Sequence, residues 1–365
     1  TLAVFWKFIA FGHTMYAVVV VEEQLGLIPQ APEGWFPSDD RHARVVDNMV
    51  LLRPHLHRYN EGLKQGEMRL WNPSLFCGLP AYADPMLNPF YPPHLLLHAT
   101  LPPDAAYEID LMLHLFFSGV AMLALLRALG RSDLAATAGG MIWMLLGYNG
   151  LWFSTGILAG VSVFGPLALL ALVRGLETRD RSRAALAGGA MGLAILGSHP
   201  QHALHFFLFT LAWLAFALVR NRADRRFIAG FAGVYGLIAV GVGLANVLTR
   251  LDTIAGGYRA PEFDAISLYS EPWELLSYLG GMVSGKVWYP GPALELEFTV
   301  YAGMGAFALA VVGAIRDPAA RFTAIFAAFT LAAAFVRPLA ELLLQIPLLS
   351  LSPPARWIYV AGFCL

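Results

Sequence analysis

The sequence predicts an all-α protein that crosses a membrane many times. Three observations carry that reading. Hydrophobic residues make up 58% of the 365 residues and charged residues only 13%, against roughly 45–50% and about 25% in a soluble domain. Mean hydropathy is +0.60. The apolar residues also gather in continuous, helix-length stretches rich in Ala, Leu and Gly, not in the alternating strands of an outer-membrane barrel. A soluble enzyme and a disordered chain are excluded on these numbers. Lys and Arg together number 24 against 25 for Asp and Glu, so no basic field exists for nucleic acid.

Apolar stretches long enough to span run in order as Thr1–Val21, Ala105–Leu126, Leu134–Phe153, Ile157–Val173, Ala184–Gly197, Ala203–Val219, Phe227–Leu248, Phe298–Ala314 and Phe322–Val336, with a partial one after Arg356. The architecture expected is therefore about nine to eleven membrane helices in a single transmembrane domain over 1–365. Ala184–Gly197 is short and borrows from its flanks. Pro338–Leu351 is too short to cross and reads as re-entrant or interfacial. Thr1 already stands inside an apolar stretch and Trp357–Leu365 opens another, so the chain reads as part of a longer one, truncated at both ends.

Arginine placement orients the spans. Arg127 and Arg131, then Arg174, Arg179, Arg181 and Arg183, then Arg220, Arg222, Arg225 and Arg226, then Arg316 and Arg321 fill four alternate short loops. The short loops between them, near Asn149–Thr155 and Ser198–His202, have no Arg or Lys. The positive-inside rule makes the four arginine loops cytoplasmic. The long loops Glu22–Asp104 and Arg250–Glu297 are then extracytoplasmic, and function is expected there, where polar, aromatic and Pro residues are dense. No phosphate-cradling Gly motif occurs. Cys77 and Cys364 form no metal motif and only a weak disulfide candidate.

In the first loop, Pro54 is expected to separate two short surface helices within Asp47–Gly66. Leu70-Trp71-Asn72-Pro73, then Gly78-Leu79-Pro80-Ala81-Tyr82-Ala83-Asp84-Pro85, then Tyr91-Pro92-Pro93 follow. Pro beside each aromatic fixes the backbone and suits a rigid rim packed on the outer ends of the spans. Taken with Gly197-Ser198-His199-Pro200-Gln201, Glu271-Pro272-Trp273-Glu274-Leu275-Leu276, Tyr301-Ala302-Gly303 and Pro353-Pro354-Ala355-Arg356, this ordered set resembles the YfhO-like bacterial membrane proteins. Those are similar to the GT-C polytopic glycosyltransferases. The chain departs from the family in placing Ser198 where Gly often precedes the His.

The resemblance implies a GT-C-like fold in the bacterial inner membrane. It implies sugar transfer from a polyprenyl-phosphate donor to a lipid or cell-surface acceptor on the extracytoplasmic face. It places the first-loop carboxylate, a general base or metal holder, at Asp47, because the acceptor hydroxyl must lose a proton. Asp40 and Asp39 are the rivals, able to hold a divalent cation together or to cap a surface helix. No nucleotide or redox cofactor is expected.

Other groups have two readings each. His199 and Gln201 either orient a lipid phosphate or close two spans by polar contact. His199, His202 and His205 share a helical face, but no carboxylate joins them as a metal site would want. Arg53, with Arg58 and Lys64, either binds a diphosphate or faces solvent and headgroups. Trp71, Asn72, Trp288 and Tyr289 either hold the sugar or anchor at the interface. Asp110 and Glu108 open a span, where an acid is costly and marks function or an ion pair, or else stands solvated within a turn or two of the interface. The expected partners are membrane lipids, the polyprenyl-phosphate-linked sugar and other membrane subunits. The competing function is a non-catalytic scaffold or accessory subunit of a larger membrane complex. A transporter fits less well, because the spans are uniformly apolar.

Overall fold

A computed structural model of the chain describes residues 52–256 and 304–364, apart from 75–76, 84–85 and 153–154. It is all-α save for one short ladder. Helix α1 (Arg53–Lys64) leads to strands β1 (Trp71–Asn72) and β2 (Leu79–Pro80), then to α2 (Pro92–Thr100), α3 (Pro103–Ala128), α4 (Asp133–Met144), α5 (Gly147–Trp152), α6 (Ala159–Thr178), α7 (Ser182–Leu196), α8 (Pro200–Arg220) and α9 (Arg225–Gly256). After the second long loop come α10 (Met304–Arg316), α11 (Pro318–Phe335), α12 (Arg337–Leu344) and α13 (Ile358–Cys364). Among the described residues, α3, α6, α8, α9 and α11 are long and apolar enough to cross a membrane. Helices α7 and α10 are apolar but shorter. The first expected span, the candidate acids Asp47, Asp40 and Asp39, and Trp288 and Tyr289 lie outside the described residues.

Pro54 stands in the first turn of α1, where its missing N–H costs nothing, and the helix expected before it falls outside the described residues. The elements differ from the sequence expectation at two places. The stretch Leu134–Phe153 is not one helix but α4 and α5, since the Asn149 side chain donates to the Trp143 carbonyl at 2.7 Å and satisfies a terminal acceptor of α4. Helix α9 continues past Arg250 to Gly256, so the second long loop begins later than expected. Trp71 is 54% exposed. Its ring covers Gly78, where φ is +118° and a Cβ would stand 2.6 Å from the indole. Tyr91 behaves as expected: it is fully buried against α3 and α6.

Helix contacts follow from small residues. Gly188 and Gly192 of α7 face α9, where an added Cβ would meet Tyr235 O and Ile238 or the Val242 side chain at 2.5–2.8 Å. Such stripes let backbones approach where lipid offers no hydrophobic drive for helix association. Phe206 and Phe209 of α8, Phe363 of α13 and Trp143 of α4 fill the centre. Tyr235 and Thr210 satisfy each other inside it at 2.5 Å.

The arginine turns share one end of the bundle and are tied to each other. Arg131 pairs with Asp317 and Arg179 with Asp224, so the first turn joins the fourth and the second joins the third. The hydrogen bond from Arg131 also holds the Asp317 carboxyl below its ordinary range.

The opposite end is tied by backbone. Gly160 N donates to Gly197 O at 2.9 Å and His199 N to Ile157 O at 2.8 Å. Ser198 Oγ accepts from Val161 N at 2.6 Å, capping the first turn of α6. That hydroxyl is what Ser supplies where a Gly could not. A Cβ on Gly160 would stand 2.9 Å from the Gly197 backbone. Gly160→Ala is therefore expected to cost about 1–3 kcal/mol, read as a lower thermal unfolding midpoint in detergent. An unchanged midpoint would mean that this crossing is not close-packed.

Candidate functional site

Two polar clusters meet at the end opposite the arginine turns. The first gathers on α8. His199 is the N-cap residue of α8, its Nδ1 accepting from Gln201 N at 3.4 Å, and Pro200 takes the first helical position. Gln201 Oε1 accepts a hydrogen bond from Arg356. The Arg356 guanidinium lies 6.0 Å from the centre of the Trp152 ring, on its face. One turn deeper, His202 Nε2 meets Tyr148 Oη at 2.8 Å, and His205 stacks on Trp357 with centroids 3.9 Å apart while its Nε2 meets Ser352 Oγ at 3.0 Å. The three histidines of this helical face thus turn to separate partners and share no common point.

The second cluster lies where α2 faces the start of α3. Asp110 is 2% exposed. Its Oδ2 stands 2.7 Å from His94 Nε2, and His114 Nδ1 lies 2.8 Å from the Asp110 carbonyl. Tyr91 Oη and His114 Nε2 are 2.6 Å apart. Burial holds the Tyr91 hydroxyl well above the ordinary phenol range, so it stays protonated. Behind His114, a small cavity of about 30 Å³ is bordered by Ser118, Asn149, Trp152 and Ser162 and has room for about one water. The Trp152 ring takes part in both clusters, since it also carries the Arg356 contact.

The first-loop candidates sit beside these clusters. Arg53 forks the Asp104 carboxylate, Nε to Oδ1 at 3.2 Å and Nη2 to Oδ2 at 3.0 Å, and His57 Nε2 reaches the same Oδ1 at 2.8 Å. Asn72 Oδ1 accepts from Ser74 N at 3.0 Å, and its Nδ2 lies 3.3 Å from His55 Nδ1. Arg58 Nε donates to the Trp71 carbonyl at 3.1 Å. The loop is anchored to the end of α9 through Arg250, which donates to Tyr82 O at 2.9 Å, and through Tyr82 Oη, which donates to Asp252 at 3.2 Å.

The structure thus brings His199 and Gln201 together and adds Arg356, Trp152 and Tyr148 to them. The Pro353-Pro354-Ala355-Arg356 motif was the sequence signal for Arg356. Arg53, Trp71 and Asn72 stay in the first loop. Among the described residues, no group of three His, Cys, Asp or Glu side chains is arranged to hold a metal ion.

Fold and site together define a polytopic α-helical membrane protein with its polar machinery at one end. Residues 89–365 match the family described as 6-pyruvoyl-tetrahydropterin synthase related domain, a membrane protein, and the chain belongs to that family. No curated protein and no solved structure matches the chain.

His98, beside this cluster in α2, gives a pH signature. It is 1% exposed, and burial, followed by the neighbouring His94, lowers its pKa to about 3. Its folded pKa lies below the unfolded value of about 6.5. Its contribution to stability is therefore complete above pH 6.5 and is lost as pH falls toward 3. Between pH 7 and pH 5 that loss amounts to about 2 kcal/mol. His98→Leu is expected to flatten the acid limb of thermal unfolding by that amount relative to the unmodified protein. Parallel acid limbs would show that His98 does not titrate on unfolding.

Proposed function

We propose that this protein moves a sugar from a polyprenyl-phosphate donor to a lipid or cell-surface acceptor, on the extracytoplasmic face of the bacterial inner membrane, as a GT-C-like relative of the YfhO-like proteins. One observation carries the reading: the N-terminus of α8, the amide of Gln201 and the Arg356 guanidinium converge beside the Trp152 face. A helix N-terminus with an adjacent guanidinium suits an oxyanion, and a lipid phosphate arrives laterally at that depth. In this reading His199 and Gln201 orient the phosphate. Arg356 offsets its charge, and Arg53 adds to it by exchanging its Asp104 partner. Asp47 is the general base, with Asp40 and Asp39 as substitutes that can hold a divalent cation. Trp71, Asn72, Trp288 and Tyr289 receive the sugar.

The test uses the full chain in proteoliposomes with a polyprenyl-phosphate-sugar donor and a membrane lipid extract. Arg356→Gln is expected to raise the donor KM about ten- to a hundred-fold with a smaller effect on kcat, the loss of one charge-assisted hydrogen bond. Asp47→Asn is expected to abolish transfer with folding intact. Full activity in Asp47→Asn would move the base to Asp40 or Asp39. Absence of transfer in the unmodified protein, with a stoichiometric membrane partner on native gels, would instead favour the scaffold or accessory-subunit reading.

Sidedness has its own check in the native thiol. Cys77 is exposed in the first loop, whereas Ser198 is fully buried and a poor labelling site. A membrane-impermeant maleimide applied to intact cells is expected to label Cys77 in a Cys364→Ala background. It should leave Ser182→Cys, on an arginine turn, unlabelled when Cys77 is replaced by Ser. The opposite pattern would invert the topology.

A further inference from the structure

The four arginine turns do not use their charge in the same way. Between α3 and α4, Arg127 pairs with Asp133 and Arg131 with Asp317. Between α6 and α7, Arg174 pairs with Glu177, Arg183 faces Asp180 and Arg179 pairs with Asp224, while the Arg181 guanidinium lies 5.8 Å from the centre of the Phe227 ring. Between α10 and α11, Arg321 donates to the Ala314 and Ile315 carbonyls and closes the end of α10. The turn between α8 and α9 is different. Its acid, Asp224, is taken by Arg179 of the neighbouring turn, and Arg225 Nε donates to the Leu218 carbonyl. Arg220, Arg222 and Arg226 are exposed and, among the described residues, have neither an acid nor a carbonyl as partner. Uncompensated charge therefore concentrates in one short turn.

The position of these cations selects the anion that meets them. Val219, directly before Arg220, is 66% exposed on the outside of α8. On α9, Leu237 and Val240 stand about three and four turns beyond Arg226 and share its face. They are 76% and 44% exposed. The face of α9 that begins at Arg226 is thus apolar and turned outward to hydrocarbon. A guanidinium at the end of such a face stands at head-group depth, at the edge of the bundle. There it meets lipid phosphate, whose oxygens its fork matches. A soluble acidic partner would approach from the aqueous side and gain nothing from the apolar face beneath.

We propose that the turn between α8 and α9 is a binding site for an anionic phospholipid. Arg220, Arg222 and Arg226 hold the head-group phosphate, and the chains run down the exposed face of α9. Arg179 keeps the nearest carboxylate, Asp224, occupied. The site lies at the end of the bundle opposite the two polar clusters and does not depend on the transfer reading.

The experiment uses the full chain in phosphatidylcholine nanodiscs, in a Cys77→Ser, Cys364→Ala background. A bimane on Val219→Cys reports the proposed site. A bimane on Ile315→Cys, where the native side chain is 70% exposed, reports the turn between α10 and α11. Phosphatidylglycerol or phosphatidylcholine with a nitroxide near the carbonyl end of one chain is added at equal mole fraction, and quenching is read. Phosphatidylglycerol is expected to bind about ten-fold better than phosphatidylcholine at Val219 and about two-fold better at Ile315. The combined Arg220→Gln, Arg222→Gln and Arg226→Gln protein should lose the difference between the sites. Each single variant should lower the preference at Val219 by about two- to five-fold, which keeps the test should the combined variant not fold. Equal quenching by the two lipids at Val219 would overturn the proposal. So would equal preference at both positions, which would mean a field of the whole face, or undiminished preference in the folded combined variant. Binding of polyglutamate through the same three arginines, without lipid preference, would assign the turn to an acidic protein partner and overturn it as well.

Discussion

The backbone crossing at Gly160 and Gly197 is the constraint on which the rest of the molecule depends. A bilayer has no water to satisfy the open amides at a helix start or the open carbonyls at a helix end. The start of α6 and the α7–α8 junction solve this by pairing with each other, through Gly160 N to Gly197 O, Val161 N to Ser198 Oγ and His199 N to Ile157 O. Both glycines are needed for the approach, and Gly197 serves two neighbours. Its other side carries the Tyr91 ring, which a Cβ there would meet at 2.6 Å. Tyr91 in turn holds His114, while the next residues of the junction are His199 and Gln201. One backbone contact therefore sets the position of both polar clusters relative to each other.

The distribution of polar groups follows from their cost. An acid or imidazole inside a span persists where its desolvation is offset by partners. Asp110 achieves this with two histidines from two helices, and His202 and His205 with a tyrosine and a serine. All lie near the same end of the bundle, within a few turns of Gly197. The far end contains no such buried set among the described residues. Its charges are exposed or half-buried and serve to tie turns together, and exposed pairs of that kind contribute little to stability individually.

Much of this was legible in the chain. The spans show because an apolar run of helix length has few other uses, and α3, α6, α8, α9 and α11 fall where the runs do. His199 and Gln201 show because they are polar residues in a turn with no charge. The break between α4 and α5 did not show: the run is continuously apolar, and the stop is made by the Asn149 side chain reaching back to Trp143. Trp71 shows as an aromatic beside Pro, but its cover of Gly78 does not, because the left-handed backbone there is invisible in composition. Asp110 was visible as an acid in a span, whereas His94 was not, since it reaches Asp110 from a separate helix. Arg356 is joined to Gln201 across 155 positions, a pairing that no local pattern encodes.

The two ends also differ in what their charges leave over. The four arginine turns contain twelve arginines against Asp133, Glu177, Asp180, Asp224 and Asp317. Pairing Arg131 with Asp317 and Arg179 with Asp224 therefore fastens the turns and still leaves a cationic surplus on that face. The opposite end has no such surplus in its short turns. Beside the Arg53–Asp104 and Arg250–Tyr82 contacts of the first loop, it joins helices through backbone groups, hydroxyls, imidazoles and the Arg356 guanidinium set against an amide and an indole. The arginine end and the end with the buried polar clusters are thus separated by charge type along the same helices. The cost of burying polar groups in lipid confines those clusters to the turns near one end.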